Sequence, residues 1–162
     1  MSAFSEAALA GDGFVGFVKF CDLDLNDVPT VEGVYVVLRD TNEPPVFLRT
    51  NPGGWFKGRD PTEDIAVLRH RWVEGARVVY IGKASKTKST NLRRRVGAYR
   101  RFGQGKRVGH WGGRYIWQCA DSADYAICWK DVTGLAARDV EREMLARFKA
   151  NYGKLPFANI NE

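Results

Sequence analysis

Residues 79–83 read Val-Tyr-Ile-Gly-Lys, and residues 33–35 read Gly-Val-Tyr. Each tyrosine lies in a short apolar run rich in β-branched residues, Val78–Ile81 and Val34–Leu38 respectively. Runs of this length and composition, bounded by glycine or by turn-forming residues, are typical of buried strands. The two segments therefore predict two core strands.

A run of positive charge follows the second tyrosine segment. Between Lys83 and Arg107 the chain has ten Lys or Arg and no Asp or Glu. Since the whole chain has a net charge of only +6, the rest of it is net acidic. Such a patch is typical of a protein that binds a polyanion, because Lys and Arg that contact phosphates release condensed counterions. A solvated helix face with no partner is the alternative.

The length and composition are those of one domain over residues 1–162, with a core large enough to fold alone. The first residues do not resemble a secretory signal, and no apolar stretch approaches the ~20 residues of a membrane span. Three widely spaced cysteines indicate neither a disulfide framework nor a zinc site. We expect a cytoplasmic protein with no membrane partner. Gly103–Gly105 lacks the strand-to-helix context of a phosphate loop, so we expect no dinucleotide cofactor.

Two segments surround the first tyrosine strand. Residues 1–30 alternate small apolar patches with Gly and Asp and predict an irregular or partly helical lead-in. Residues 41–77 form an insertion with a Pro- and Gly-rich loop, room for a short strand over Val46–Arg49, and a predicted helix over Asp64–Val73. The insertion either contacts a partner or thickens the core.

The basic run includes an amphipathic helix over Asn91–Phe102. Leu92, Val96 and Tyr99 recur at i, i+4 and i+7, so they form an inward face. Arg95 lies on the edge of that face, whereas the other arginines of the helix point away from it. A guanidinium at this edge either lines a cleft or covers apolar surface with its stem, because an unpaired buried charge is costly.

The last helix, predicted over Ala136–Ala150, places one acid in its apolar stripe. Glu141 projects near the centre of the stripe, while Asp139 and Glu143 point away from it. A carboxylate in that position is costly unless it meets a cation, a hydrogen-bonding network or a metal ion. Two interpretations are open: a buried ion pair with an arginine such as Arg95, or a hard-cation site that also uses waters and phosphate oxygens.

A glycine-rich tract over residues 109–114 contains His110 and Arg114. Its glycines would let the backbone approach a phosphate beside these two side chains. A tight turn before a short helix containing Tyr115–Trp117 explains the same residues equally well.

The ordered set of motifs resembles the GIY-YIG nuclease superfamily, in particular the amino-terminal nuclease domain of bacterial excision-repair proteins. The five elements are Gly33-Val34-Tyr35, Tyr80-Ile81-Gly82-Lys83-Ala84, Asn91-Leu92-Arg93-Arg94-Arg95-Val96-Gly97-Ala98-Tyr99, Glu141-Arg142-Glu143-Met144-Leu145 and Pro156-Phe157-Ala158-Asn159. The tyrosine motifs are further apart here than in the family pattern. The resemblance implies an α+β fold whose small central antiparallel β-sheet, of about three strands, is flanked by helices.

The resemblance also implies hydrolysis of phosphodiester bonds with a single divalent metal ion, Mg²⁺ or Mn²⁺. Glu141 would bind the metal ion, which polarises a phosphate oxygen and stabilises the leaving oxygen. Arg95 would neutralise the charge that develops on the scissile phosphate.

The group that activates the attacking water would be a tyrosine. The resemblance leaves open whether it is Tyr35 or Tyr80, with Lys83 nearby to lower the pKa of a tyrosine. Tyr99 and Asn159 would orient the water, the metal ligands or the arginine.

The motifs indicate a stand-alone, metal-dependent DNA endonuclease that cleaves with structure-directed or low specificity in repair or defence. A sequence-specific restriction endonuclease and a non-catalytic nucleic-acid-binding module on the same fold are the alternatives. The strand state of the DNA is left open. The further residues expected to contact DNA are Arg93, Arg94, Arg100, Arg101, Lys106, Arg107, His110 and Arg114.

Overall fold

A four-stranded antiparallel β-sheet forms the centre of the protein, and helices flank it. The computed structural model describes residues 2–108 and 110–160. The strands are β1 (Val15–Lys19), β2 (Gly33–Leu38), β3 (Val78–Ala84) and β4 (Ala126–Asp131), in the sheet order β1-β4-β2-β3. The α-helices are α1 (Glu6–Gly11), α2 (Ile65–Arg71), α3 (Leu92–Gly103), α4 (Arg114–Trp117) and α5 (Ala137–Tyr152), with short 3-10 helices at Phe20–Asp22, Leu25–Asp27, Trp111–Gly113 and Ser122–Asp124. The predicted α+β class with an antiparallel sheet is confirmed, with four strands instead of about three.

The strands differ from the prediction at three places. The strands β1 and β4 were not predicted, and β1 lies inside the lead-in segment, where it pairs with β4. The register of that pair shifts around Phe17, which has a positive φ of 55°, so a β-bulge disturbs the alternation of side chains. In the insertion, Val46–Arg49 is not a strand; Phe47 forms an isolated bridge to Cys119.

Helices cover both faces of the sheet. Side chains alternate along β2, so Tyr35 and Val37 pack toward α3, while Val34 and Val36 pack toward α5. All of β2 is buried. Its neighbours β3 and β4 cover its two edges within the sheet, and the helices cover the side chains on its two faces. Since α3 and α5 lie on opposite faces, side chains from these two helices can meet only around an edge of the sheet.

Both of these helices were predicted from the sequence, and local signals fix where they start and end. The side chain of Asn91 caps α3 by accepting a hydrogen bond from the backbone N–H of Arg94 (3.0 Å). Helix α5 ends before Gly153, whose left-handed φ of 74° terminates the helix. These signals set the positions of Arg95 and Glu141 relative to the helix ends.

The lead-in segment packs along one flank of α3. Arg93 Nε donates to the carbonyl oxygen of Val28 (2.7 Å), and Arg100 Nη1 donates to that of Leu23 (2.7 Å). These two arginines are seven positions apart and therefore lie on one side of the helix. Arg95 lies on the opposite flank, which faces the edge strand β3.

Candidate active site

Residues from three separate elements line one open cleft at the edge strand β3. The cleft has a volume of about 460 Å³, and its polar lining residues are Tyr80, Lys83, Ser85, Thr90, Arg95 and Glu141. Tyr80 and Lys83 belong to β3, Arg95 belongs to α3, and Glu141 belongs to α5. The structure thus brings together four of the seven residues that the sequence predicted to be catalytic.

Glu141 is half-buried and lies near two cations. Burial raises the pKa of its carboxyl, and the positive charges of Lys83 and Arg95 lower that pKa. The side chains of Lys83, Arg95 and Glu141 all line the cleft, so both cations lie on the side of the carboxylate that is open to a ligand.

The positive charge of Lys83 lowers the pKa of Glu141, whereas we predicted that it lowers the pKa of a tyrosine. Successive residues of a strand face opposite sides, so Lys83 and Tyr80, three positions apart, point to different faces of the sheet. Burial raises the pKa of Tyr80, and the cation that lowers it is Arg95. The effect of Lys83 on a tyrosine stays a prediction, and its charge also favours the ionised form of Glu141.

The two motif tyrosines differ in their access to the cleft. Tyr35 is 0% exposed, and its ring lies over Gly82, where an added Cβ would stand 2.4 Å from Tyr35 Cζ. Tyr80 is 8% exposed and lines the cleft. The two ring centroids are 5.9 Å apart. Of the two candidates for activating water, Tyr80 is the one whose side chain reaches the cleft.

A chain of polar groups connects Tyr80 to the protein interior. Tyr35 Oη lies 2.6 Å from Nε2 of His110, and the phenols of Tyr35 and Tyr80 shift each other's pKa. His110 is 1% exposed, and its Nδ1 has no hydrogen-bond partner among the described residues. A proton on Nε2 leaves Nδ1 as a bare acceptor, which is less costly to bury than an unpaired N–H. With the imidazole proton on Nε2, His110 donates to Tyr35, and the hydroxyl proton of Tyr35 is then available to Tyr80.

These contacts favour ionisation of Tyr80 over ionisation of Tyr35. Burial raises the pKa of both phenols, and the neighbouring Tyr80 raises the pKa of Tyr35 further. Arg95 lowers the pKa of both phenols and Glu141 raises the pKa of both, so the difference lies in the interaction between the two phenols, which raises the pKa of Tyr35 and lowers that of Tyr80. Burial lowers the pKa of His110 well below its ordinary value, and Arg95 lowers it further, so the imidazole is neutral at physiological pH.

Tyr99 and Asn159 lie behind Tyr80 and are not among the residues that line the cleft. The prediction that they orient the water, the metal ligands or the arginine stays a prediction. Burial of Tyr99 is complete, and its ring centroid lies 5.5 Å from that of Tyr80 and 4.3 Å from that of His110. Asn159 Nδ2 donates to the carbonyl oxygen of Ile81 (2.8 Å), and its Oδ1 accepts from the N–H of Ile81 (2.9 Å). The amide of Asn159 therefore holds β3 in place beside Tyr80.

Six of the eight residues predicted to contact DNA divide into two groups. Arg93 and Arg100 donate to the backbone of the lead-in segment, so their role in this structure is to hold that segment. Arg94 and Arg101 are seven positions apart and exposed on the outer face of α3. The exposed basic residues of the predicted group are Arg94, Arg101, Lys106 and Arg107.

The glycine-rich tract folds inward. Gly109 lies outside the described residues. The burial of His110 against Tyr35 does not fit the predicted contact with DNA, and its role here is to hydrogen-bond a tyrosine. Arg114 is half-buried, and its guanidinium lies 4.5 Å from the ring centroid of Trp111. The predicted short helix is present as α4, which supports the turn interpretation.

Two features of the site were not predicted from the sequence. The contact between His110 and Tyr35 joins residues 75 positions apart, and no local pattern signals it. Arg138 and Arg142 line the side of Glu141 that faces away from α3. Their i, i+4 spacing was the available signal, since it places both arginines on one helix face.

The donor chemistry of the cleft fits a hard divalent cation that is bound together with a substrate. Across residues 2–108 and 110–160, no group of three or more His, Cys, Asp or Glu side chains could hold a metal ion. Mg²⁺ is commonly held by one or two carboxylates together with waters and phosphate oxygens. A single carboxylate, Glu141, in an open cleft fits Mg²⁺ or Mn²⁺, but it does not fit a structural zinc site.

Comparison with protein-family models, with curated proteins and with solved structures returned no match to this chain. Of the helices in the described part of the chain, none is both long enough and apolar enough to cross a membrane. The chemistry of the cleft therefore carries the functional argument.

Proposed function

We propose that the protein is a metal-dependent endonuclease of the GIY-YIG type that hydrolyses phosphodiester bonds in DNA. The observation that carries this proposal is the convergence of Tyr80, Arg95 and Glu141, from three different elements, on one open cleft. A module that only binds nucleic acid gains nothing from an inward carboxylate, which repels phosphate. A cytoplasmic role in DNA repair or defence is part of the proposal and rests on the resemblance of the sequence motifs.

Glu141 would hold the divalent ion. When bound, Mg²⁺ or Mn²⁺ would act as a Lewis acid that polarises a phosphate oxygen and stabilises the leaving oxygen. Because burial raises the pKa of Glu141 while Lys83 and Arg95 lower it, these cations help to keep the carboxylate ionised and able to bind a cation. Lys83 therefore contributes to the site through Glu141.

Arg95 would serve two functions at once. Its guanidinium lines the cleft, where it would face the scissile phosphate and offset the negative charge that develops there. The same charge lowers the pKa of Tyr80 against the effect of burial. Loss of Arg95 is therefore expected to weaken both phosphate binding and water activation.

Tyr80 would accept the proton of the attacking water. In this step the water oxygen forms a bond to phosphorus, the bond to the leaving oxygen breaks, and the proton moves to the phenolate oxygen of Tyr80. Tyr35 and His110 are positioning residues, because they contact Tyr80 and each other from inside the fold. Since Tyr80 must ionise, the proposal implies that cleavage accelerates as the pH rises.

The test is a cleavage assay with supercoiled plasmid, single-stranded oligonucleotide and a branched junction, each with Mg²⁺ or with chelator. We expect metal-dependent product on at least one substrate. Removing one group that stabilises the transition state typically costs ~10²–10³-fold in rate, and we expect such losses for Glu141→Gln and Arg95→Ala. Glu143→Gln is the matched control, because Glu143 is exposed on the same helix. Cleavage by Glu141→Gln at the rate of Glu143→Gln would contradict the proposal.

A further inference from the structure

A second groove lies on the side of Glu141 that faces away from α3. It has a volume of about 510 Å³, and its floor includes Leu145 of helix α5. Four cations line it: Lys83, Arg138, Arg142 and Lys149. We propose that this groove binds the sugar-phosphate backbone of the nucleic acid on one side of the scissile phosphate.

The groove is continuous with the candidate active site. Lys83 and Glu141 line both the groove and the cleft. A nucleic-acid strand whose scissile phosphate lies between Arg95 and Glu141 must continue in two directions. The exposed arginines of α3 lie on one side of this point, and the groove lies on the other.

The sequence of α5 places its cations on the groove side. Arg138, Arg142 and Lys149 occupy positions i, i+4 and i+11, which share one face of a helix with 3.6 residues per turn. The acids Asp139 and Glu143 fall on other faces, and Glu143 lines a separate depression beside α1. Three cations of this helix therefore lie beside Glu141, whereas Glu143 lies in the other depression together with Arg147.

The dimensions and charge of the groove suit a phosphate backbone. The eleven helical steps from Arg138 to Lys149 span about 16 Å, which is the axial rise of about five nucleotides at 3.4 Å each. A row of cations over this length can contact successive phosphates without reading bases. An acidic peptide would satisfy the same cations, but the groove opens at Glu141, where the proposed function requires a phosphate. The inference rests on the proposed function in this respect.

The test measures binding without cleavage, as a function of salt. A fluorescent oligonucleotide, single-stranded or duplex, is titrated with protein in chelator, and the logarithm of the binding constant is plotted against that of the KCl concentration. Arg138→Gln/Arg142→Gln is compared with the wild-type protein and with Lys19→Gln/Arg69→Gln, which removes the same charge from exposed sites on β1 and α2. Arg138→Lys/Arg142→Lys keeps the charge of the groove.

Each phosphate contact adds about 0.9 to the salt slope on duplex DNA, so loss of two contacts should reduce it by about 1.8. Between about 50 and 200 mM KCl, this difference in slope changes the ratio of the wild-type affinity to that of Arg138→Gln/Arg142→Gln by roughly tenfold. The lysine variant and the Lys19→Gln/Arg69→Gln control should keep the wild-type slope.

A wild-type slope for Arg138→Gln/Arg142→Gln would overturn the inference, and so would an equal reduction in the control variant. Tighter binding of a poly-glutamate peptide than of an oligonucleotide with the same charge would also overturn it. The binding assay contains no divalent metal, so its result does not depend on cleavage. Groove-dependent binding in this assay, together with no cleavage in the Mg²⁺ assay, would contradict only the proposed nuclease activity. Cleavage in the Mg²⁺ assay without groove-dependent binding would contradict only the inference that the groove binds the nucleic-acid backbone.

Discussion

The clamp between Asn159 and β3 gives the sharpest prediction about stability. The side chain of Asn159 is 6% exposed, and it satisfies both backbone polar groups of Ile81, which is itself 0% exposed. Asn159→Ala leaves the N–H and the carbonyl of Ile81 without these partners, and a buried polar group without a partner costs about 1–3 kcal/mol. Two such groups are involved, but partial access of water to the edge strand reduces their combined cost. We therefore expect a loss of about 3 kcal/mol in the free energy of unfolding.

Urea denaturation measures this loss directly, and thermal melting should show a decrease of about 6–12 °C for a chain of this size. Asn159→Asp should be at least as destabilising, because a carboxylate accepts from the N–H of Ile81 but repels its carbonyl oxygen. The matched control is Asn151→Ala, which removes an exposed hydrogen bond to the carbonyl of Arg147 and should change stability by no more than about 0.5 kcal/mol. A loss of less than about 0.5 kcal/mol for Asn159→Ala would refute the clamp.

Three further predictions concern the tyrosine pair and the carboxylate. Gly82→Ala places a Cβ 2.4 Å from Tyr35 Cζ and should cost about 1–3 kcal/mol of unfolding free energy in urea; an unchanged midpoint would refute the close packing. Tyr35→Phe removes an interaction that lowers the pKa of Tyr80. The rise of the single-turnover cleavage rate with pH should therefore shift to higher pH. Loss of activity at every pH would instead identify Tyr35 as the base. Burial raises the pKa of Glu141, so the fold favours the protonated carboxyl over the carboxylate. The protonated group stabilises the fold at low pH, and this contribution is lost as the pH rises through the raised pKa. Glu141→Gln should accordingly melt above the wild type at neutral pH, with a difference that shrinks near pH ~4; a lower melting temperature at neutral pH would show that the charge stabilises the fold.

The local patterns of the sequence predicted helices α2, α3 and α5 and the two inward charges. Arg95 and Glu141 were identified by their positions on the amphipathic helices α3 and α5, and the structure places both in one cleft. This worked because helical periodicity fixes the direction of a side chain relative to its own element. The core strands around Tyr35 and Tyr80 followed from the same kind of local signal.

Contacts between distant segments were not predictable from the sequence. The strand β1 was missed because its β-bulge disturbs the alternation of side chains. Arg93 was expected to face solvent or phosphate, but it holds a lead-in segment whose path across α3 no periodicity reveals. His110 was expected at the surface, yet it packs against a tyrosine 75 positions earlier in the chain. In each case the tertiary partner decides the role, and the partner lies far away in sequence.

The measurement that tests the central claim most directly is the single-turnover rate of DNA cleavage by Glu141→Gln in Mg²⁺, beside that of Glu143→Gln. Both variants remove one negative charge from α5, but only Glu141 lines the cleft that also contains Tyr80 and Arg95. We predict that Glu143→Gln cleaves at the wild-type rate and that Glu141→Gln is slower by at least about 10²-fold. Equal rates for the two variants, or cleavage by the wild-type protein that persists in chelator, would contradict a metal-dependent active site at Glu141.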